Sequence, residues 1–173
     1  ITSLPSQLVL NESSALVLHC DALGNPIPRI SWLFNGSMVL PPNVIFSSDQ
    51  RSLRVYAVTY QHNGVYRCTA ENVLGVAQQS VQVYVQTLPK VFNISGETLV
   101  EKGATVSLRC SAEGVPTPGI SFTKDGTVLS NTPDKRIEIL DEALIVRYVT
   151  EADGGLYTCL ATNAAGENEK STQ

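Results

Sequence analysis

Asp153-Gly154-Gly155-Leu156-Tyr157-Thr158-Cys159-Leu160-Ala161-Thr162-Asn163-Ala164-Ala165-Gly166 decides the fold, because most of it occurs twice. Its counterpart is Gly64-Val65-Tyr66-Arg67-Cys68-Thr69-Ala70-Glu71-Asn72-Val73-Leu74-Gly75, which aligns with Gly155–Gly166 at an offset of 91. Upstream the same relation holds at 90: Cys20 stands against Cys110, Trp32 against Phe122, and Asn35-Gly36 against Asp125-Gly126. One change of a single residue over such a span marks one domain of about 90 residues present twice. The division predicts domains at 1–86 and 87–173.

Within each copy the apolar residues alternate. Leu16, Leu18 and Cys20 do so, as do Ile30, Trp32 and Phe34; Leu53 and Val55; Tyr66, Cys68 and Ala70; and Val81, Val83 and Val85. The second copy repeats this with Val106, Leu108 and Cys110, then Ile120 and Phe122, then Leu144 and Val146. A period of two describes strands with one buried face and one wet face. Gly24-Asn25-Pro26, Asn35-Gly36, Pro41-Pro42 and Asp125-Gly126 punctuate them. Asn-Gly and Asp-Gly suit tight hairpins because both residues tolerate positive φ. The expected fold class is all-β, two tandem two-sheet sandwiches.

Cys…Trp…Cys at this spacing, with a tyrosine two residues before the second cysteine, resembles the immunoglobulin fold. The resemblance covers the whole chain and is greatest to the I-set kind found in cell-adhesion molecules, receptor ectodomains and giant muscle proteins. It implies two inter-sheet disulfides, Cys20–Cys68 and Cys110–Cys159. It also implies that Trp32 packs on the first of them, that Tyr66 and Tyr157 are tyrosine corners, and that Asn72, Gly75, Asn163 and Gly166 shape the last hairpin of each domain. All of these are scaffold. The family's Asp–Arg pair is matched by Asp153 and Arg136. In the first domain His62 and Asn43 fall at those positions, so both partners are replaced; the reading taken is loss of a dispensable surface salt bridge, with a histidine pH switch as the sharper alternative. Phe122 replaces the second tryptophan, which predicts a less filled core. Gln173 aligns with Gln82, so the last strand is expected to be truncated and the natural chain to continue.

The chemistry that the sequence excludes narrows the function. A net charge of −4 argues against a nucleic-acid partner. No apolar run is long enough for a bilayer, so this segment does not insert directly into a membrane. With Ile1 at the start, the expectation is a processed or excised fragment. The cysteines lack the short spacings of zinc sites. His19 and His62 stand in no nucleophile–base motif, the acidic pairs Asp141-Glu142 and Glu151/Asp153 lack a calcium loop, and no phosphate loop occurs. The chain is therefore read as no enzyme, with no metal and no cofactor, although a catalytic domain could be attached elsewhere. The reading is an extracellular protein-binding module, cell-surface or secreted, from an adhesion molecule or receptor ectodomain. Its alternatives are an intracellular muscle or cytoskeletal structural protein and a secreted matrix protein.

Three sequons, at Asn11, Asn35 and Asn93, are candidate glycosylation sites near strand ends or turns. Charge divides unevenly: residues 1–86 carry four cations and four anions, the remainder eight and twelve. Desolvating the first domain is thus the cheaper course. There Trp32 and Phe34 point inward and leave Leu33 outward; Arg67 and Tyr84 follow by the same alternation. Leu33, Arg67 and Tyr84 are the candidate partner-binding residues, for homophilic or heterophilic protein contact. With no Gly or Ser stretch around Gln86-Thr87-Leu88, an extended pair of domains is expected.

Overall fold

A computed structural model describes residues 1, 4–96 and 99–173 of the chain. It divides after Gln86 into two units, Ile1–Gln86 and Thr87–Gln173. In unit one the strands are β1 (Gln7–Asn11), β2 (Leu16–His19), β3 (Arg29–Phe34), β4 (Ile45–Phe46), β5 (Ser52–Val55), β6 (Gly64–Asn72) and β7 (Gly75–Ser95), of which residues 75–86 belong here. One sheet runs β3-β6-β7-β1 and the other β2-β5-β4. β1 joins β7 in parallel, from Gln7 opposite Gln82 to Asn11 opposite Gln86. The alternating residues read above are the core: Leu16, Leu53, Val55, Tyr66, Val81 and Val83 are almost wholly buried. Each such aliphatic side chain contributes about 1.5–3 kcal/mol by leaving water, so a shift of register by one residue would forfeit the sandwich.

Unit two begins with residues 87–95 of β7 and adds β8 (Val106–Val115), β9 (Gly119–Lys124), β10 (Thr127–Val128), β11 (Ile137–Leu140), β12 (Ala143–Val146), β13 (Tyr157–Asn163) and β14 (Gly166–Thr172). β8 pairs with β7 on one side and β12 on the other, and β11 follows β12. The facing sheet runs β10-β9-β13-β14.

The disulfides join Cys20 to Cys68 and Cys110 to Cys159, with Cα atoms 6.3 and 6.2 Å apart. Each closes a loop of about 50 residues, which restricts the unfolded chain by about 3–4 kcal/mol on the chain-entropy account. Trp32 lies opposite Cys68 in the strand register and donates its indole N–H to the Gln50 carbonyl at 2.9 Å. Phe122 holds the matching place opposite Cys159 and is fully buried. An apolar hollow of about 100 Å³ in unit two is lined by Val106, Leu108, Val146, Val149 and Tyr157 and does not border Phe122.

Hydrogen bonds explain the tyrosines and asparagines of the repeated motif. Tyr66 donates its hydroxyl to the His62 carbonyl at 3.2 Å, and Tyr157 donates to that of Asp153 at 2.7 Å. Burial pushes the Tyr66 phenol up from its ordinary range. Asn72 Nδ2 donates to the Pro26 carbonyl and its Oδ1 accepts from Leu74 N–H; Asn163 does the same with Pro116 and Ala165. Asn35 and Asp125, both at positive φ, accept the backbone N–H of Val65 and Leu156, each at 2.8 Å. That grip explains Gly64: at φ +152° a side chain is disfavoured, and a Cβ would lie 2.6 Å from Asn35 Oδ1.

The His62 position corrects the reading of a dispensable surface bridge. Asp153 closes a 3₁₀ turn at Glu151–Asp153, accepting from Thr150 N–H at 2.7 Å and Thr150 Oγ1 at 2.9 Å. Arg136 grips the same carboxylate through both guanidinium nitrogens at 3.0 and 2.8 Å, and this holds Asp153 far below the usual carboxylate range. His62 closes the equivalent turn, Tyr60–His62, but is only 1% exposed. Its Nδ1 accepts from Thr59 N–H at 2.9 Å, and its Nε2 lies 3.0 Å from the Pro42 carbonyl. An imidazole that accepts at Nδ1 and donates at Nε2 is the neutral Nε2–H tautomer. The partner is thus the backbone of Pro42, not the Asn43 side chain.

Candidate protein-binding surfaces

The solvent face of β3-β6-β7-β1 carries the three candidate residues in two groups. Leu33 lies opposite Arg67, and Arg67 opposite Ser80, to whose hydroxyl its Nε donates at 3.2 Å. Tyr84 shares the face but stands four residues further along β7, roughly 13 Å at strand rise. The pair Val65–Gln82 intervenes. The neighbour of Tyr84 is Val9 on β1, and the two are 48% and 55% exposed. Val9 is a residue the sequence reading missed. Leu8 and Leu10 turn inward, which would have left Val9 outward, but the parallel pairing that brings it to Tyr84 joins remote segments. Gln78 to Thr69 and Gln86 to Asn11 tie up much of the rest of this face in side-chain hydrogen bonds.

A second surface is built of residues that the sequence reading did not single out. The segment between β2 and β3 and the turn between β6 and β7 meet at one end of unit one, held by the bond from Asn72 to Pro26. There Leu23, Ile27, Val73 and Leu74 are each at least 81% exposed. Aligned by the repeat, their counterparts in unit two are Glu113, Thr117, Ala164 and Ala165. Comparing the two copies position by position was the signal available in the sequence. Beside the tip, Ile1, Ala22, Leu23, Pro28, Leu74 and Val76 line an open hollow of about 270 Å³.

The candidate glycosylation sites all lie in exposed positions: Asn11 ends β1, Asn35 sits in the turn after β3, and Asn93 is within β7. Asn11 Oδ1 accepts from Gln86 Nε2 at 2.7 Å. Asn35 has the structural duty described above, which its counterpart Asp125 also performs. The Leu156 N–H, then Lys124, hold that Asp125 below the usual carboxylate range. His19 is exposed, 2.8 Å from Ser52 Oγ, on a different element from His62.

The family model described as immunoglobulin domain matches residues 1–72, and that described as immunoglobulin I-set domain matches residues 89–173. Hemicentin-1 of Mus musculus is 36% identical over an alignment of 172 positions that covers 95% of this chain and 3% of that protein. The chain thus spans a small fraction of such a relative. Among solved structures, the extracellular domains 3–5 of Drosophila OTK superpose with a TM-score of 0.74 at 30% identity, covering 95% of this chain and 57% of that one. The I-band fragment I67–I69 of titin gives 0.72 at 26%, covering 96% and 61%. With both halves matched and each half carrying its own inter-sheet disulfide, this chain belongs to the immunoglobulin superfamily as two tandem domains, the second of the I-set kind.

Proposed function

We propose that this chain is an extracellular protein-binding module from a cell-adhesion molecule or receptor ectodomain, and that unit one carries the contact surface. The observation that carries the reading is the apolar tip. Leu23, Ile27, Val73 and Leu74 stand exposed together where the sister unit has two polar residues and two alanines. Clustered apolar exposure on a folded domain is characteristic of a surface that a partner covers. The tip is uncharged and the chain carries a net −4, which favours a protein partner over a nucleic acid. Both cysteine pairs are joined and the sequons are exposed, which supports an oxidising, extracellular setting over the intracellular structural alternative. The kinship with hemicentin-1 and OTK fits the same reading, while the likeness to titin is what keeps the alternative in view.

A second reading places the contact on the sheet face, through Leu33, Arg67 and Tyr84, and is favoured by the exposed pairing of Tyr84 with Val9. Two measurements separate these. Protein from a secretory host should lose mass on glycosidase treatment, through Asn11 and Asn93, and should react with thiol reagents only after reduction; an unglycosylated, fully thiol-reactive chain would sink the extracellular reading. Beads coated with the chain should bind cells or each other, and Leu23→Asp with Leu74→Asp should remove that binding. If Leu33→Asp with Tyr84→Ala removes it instead, the sheet face is the surface.

A further inference from the structure

β3 is the edge strand of its sheet, and among the described residues no strand lies along its other side. The hydrogen-bond parity shows which groups face that side. Asn35 N–H bonds Val65 on β6, whereas Phe34 N–H turns the other way to Ser37. In an antiparallel ladder the two directions alternate, so the N–H and C=O of Ile30 and Trp32 point, like those of Phe34, away from β6. Unit two closes the equivalent edge. There β10 pairs with β9, and Leu129 N–H donates to the Phe122 carbonyl at 2.8 Å. In unit one the corresponding N–H, that of Val39, is captured by Ser37 Oγ at 3.0 Å, and the chain departs from β3. The departing segment leaves Met38 and Val39 79% and 78% exposed.

We infer that the β3 edge takes the β3 edge of a second copy of this chain, adding strand to strand about a two-fold axis. An identical edge supplies complementary donors and acceptors. With the axis through Ser31, Ile30 would exchange both backbone bonds with the second copy's Trp32, and Trp32 with the second copy's Ile30, giving four in all. Charge also permits it. From Ile30 to Ser48 no residue is charged, whereas the counterpart stretch of unit two holds Lys124, Asp125, Asp134, Lys135, Arg136 and Glu138. The one charge on β3, Arg29, falls opposite the second copy's Leu33 in this register, so it meets no like charge on the second copy's β3. Charged side chains are the usual guard of an open edge; here they are confined to Arg29 at its start and to the paired Asp49 and Arg51, which line the hollow beside Ile30. The inference does not depend on the extracellular reading or on the tip.

The test is sedimentation of the glycosidase-treated 173-residue chain up to about 1 mM, together with amide hydrogen exchange at low and high concentration. A dimer is expected, with the Ile30 and Trp32 amides exchanging at least about tenfold more slowly when it forms. Val39→Lys should raise its dissociation constant at least about tenfold. So should Ser37→Thr with Met38→Val and Val39→Leu, which copies Thr127-Val128-Leu129 and closes the edge while keeping it apolar. A chain that stays monomeric at about 1 mM overturns the inference. So does a dimer in which those two amides exchange unchanged, or one dispersed only by the tip variant Leu23→Asp with Leu74→Asp. Should the triple variant fail to fold, Val39→Lys and the exchange data decide.

Discussion

The two units meet one demand with different chemistry. Each ends a 3₁₀ turn on a side chain that must accept a threonine N–H, from Thr59 in unit one and Thr150 in unit two. Unit two uses the carboxylate of Asp153 and must supply a cation, Arg136, to hold it. Unit one uses the neutral ring of His62, which can be buried because it brings no charge, and its remaining N–H finds the Pro42 carbonyl. The difference teaches that the family pattern specifies an acceptor at this point, not an ion pair. The pair is one way to make that acceptor tolerable; a neutral donor–acceptor ring is another.

The largest effect should come from forcing unit two's solution onto unit one. His62→Asp places a carboxylate in a site only 1% exposed, facing a carbonyl oxygen and no cation. An unpaired buried charge costs about 3–5 kcal/mol, so calorimetry should show unit one melting far earlier. A variant that melts with the parent chain would break the comparison.

A smaller loss follows from removing the cation. Arg136→Met should cost unit two about 1–3 kcal/mol, since a part-buried carboxylate then keeps only its threonine donors. The pH dependence sharpens this. The folded Asp153 is held well below its unfolded range by Arg136 first of all. Its stabilisation is therefore fully present above the unfolded value of about 4 and lost as pH falls below it toward the folded value. Unit two of the parent chain should show this acid loss, and Arg136→Met should flatten it. Melting temperature followed from pH 7 down to about 3 reads both.

The smallest stability effect belongs to the tip. Leu23→Asp with Leu74→Asp alters residues that pack on little, so it should move stability by no more than about 0.5 kcal/mol while removing binding. Thermal melts that fall by more would mean the tip is part of the core.

What was legible in the sequence had local or repeated signals. The strands were readable from alternation, and the corners and hairpins from the motif around Cys68 and Cys159. The resemblance those residues carry led to the disulfides and to the Arg136–Asp153 pair. The burial of His62 was not legible, because its accommodation depends on the Pro42 carbonyl arriving from twenty residues away. Nor was the separation of Tyr84 from Leu33: alternation assigns a side chain to a face but not to a row, and the row depends on inter-strand register. The open edge of β3 turns on one hydroxyl, Ser37 Oγ, taking an N–H that Leu129 gives to a strand. No periodicity records such a choice.

The parallel pairing of β1 with β7 has a mechanical consequence. β1 lies near the beginning of unit one, and its partner residues, Gln82 to Gln86, close it. Opposite pulls on the two ends of that unit would slide these strands along each other, so the bonds between them would bear the load together instead of parting in turn.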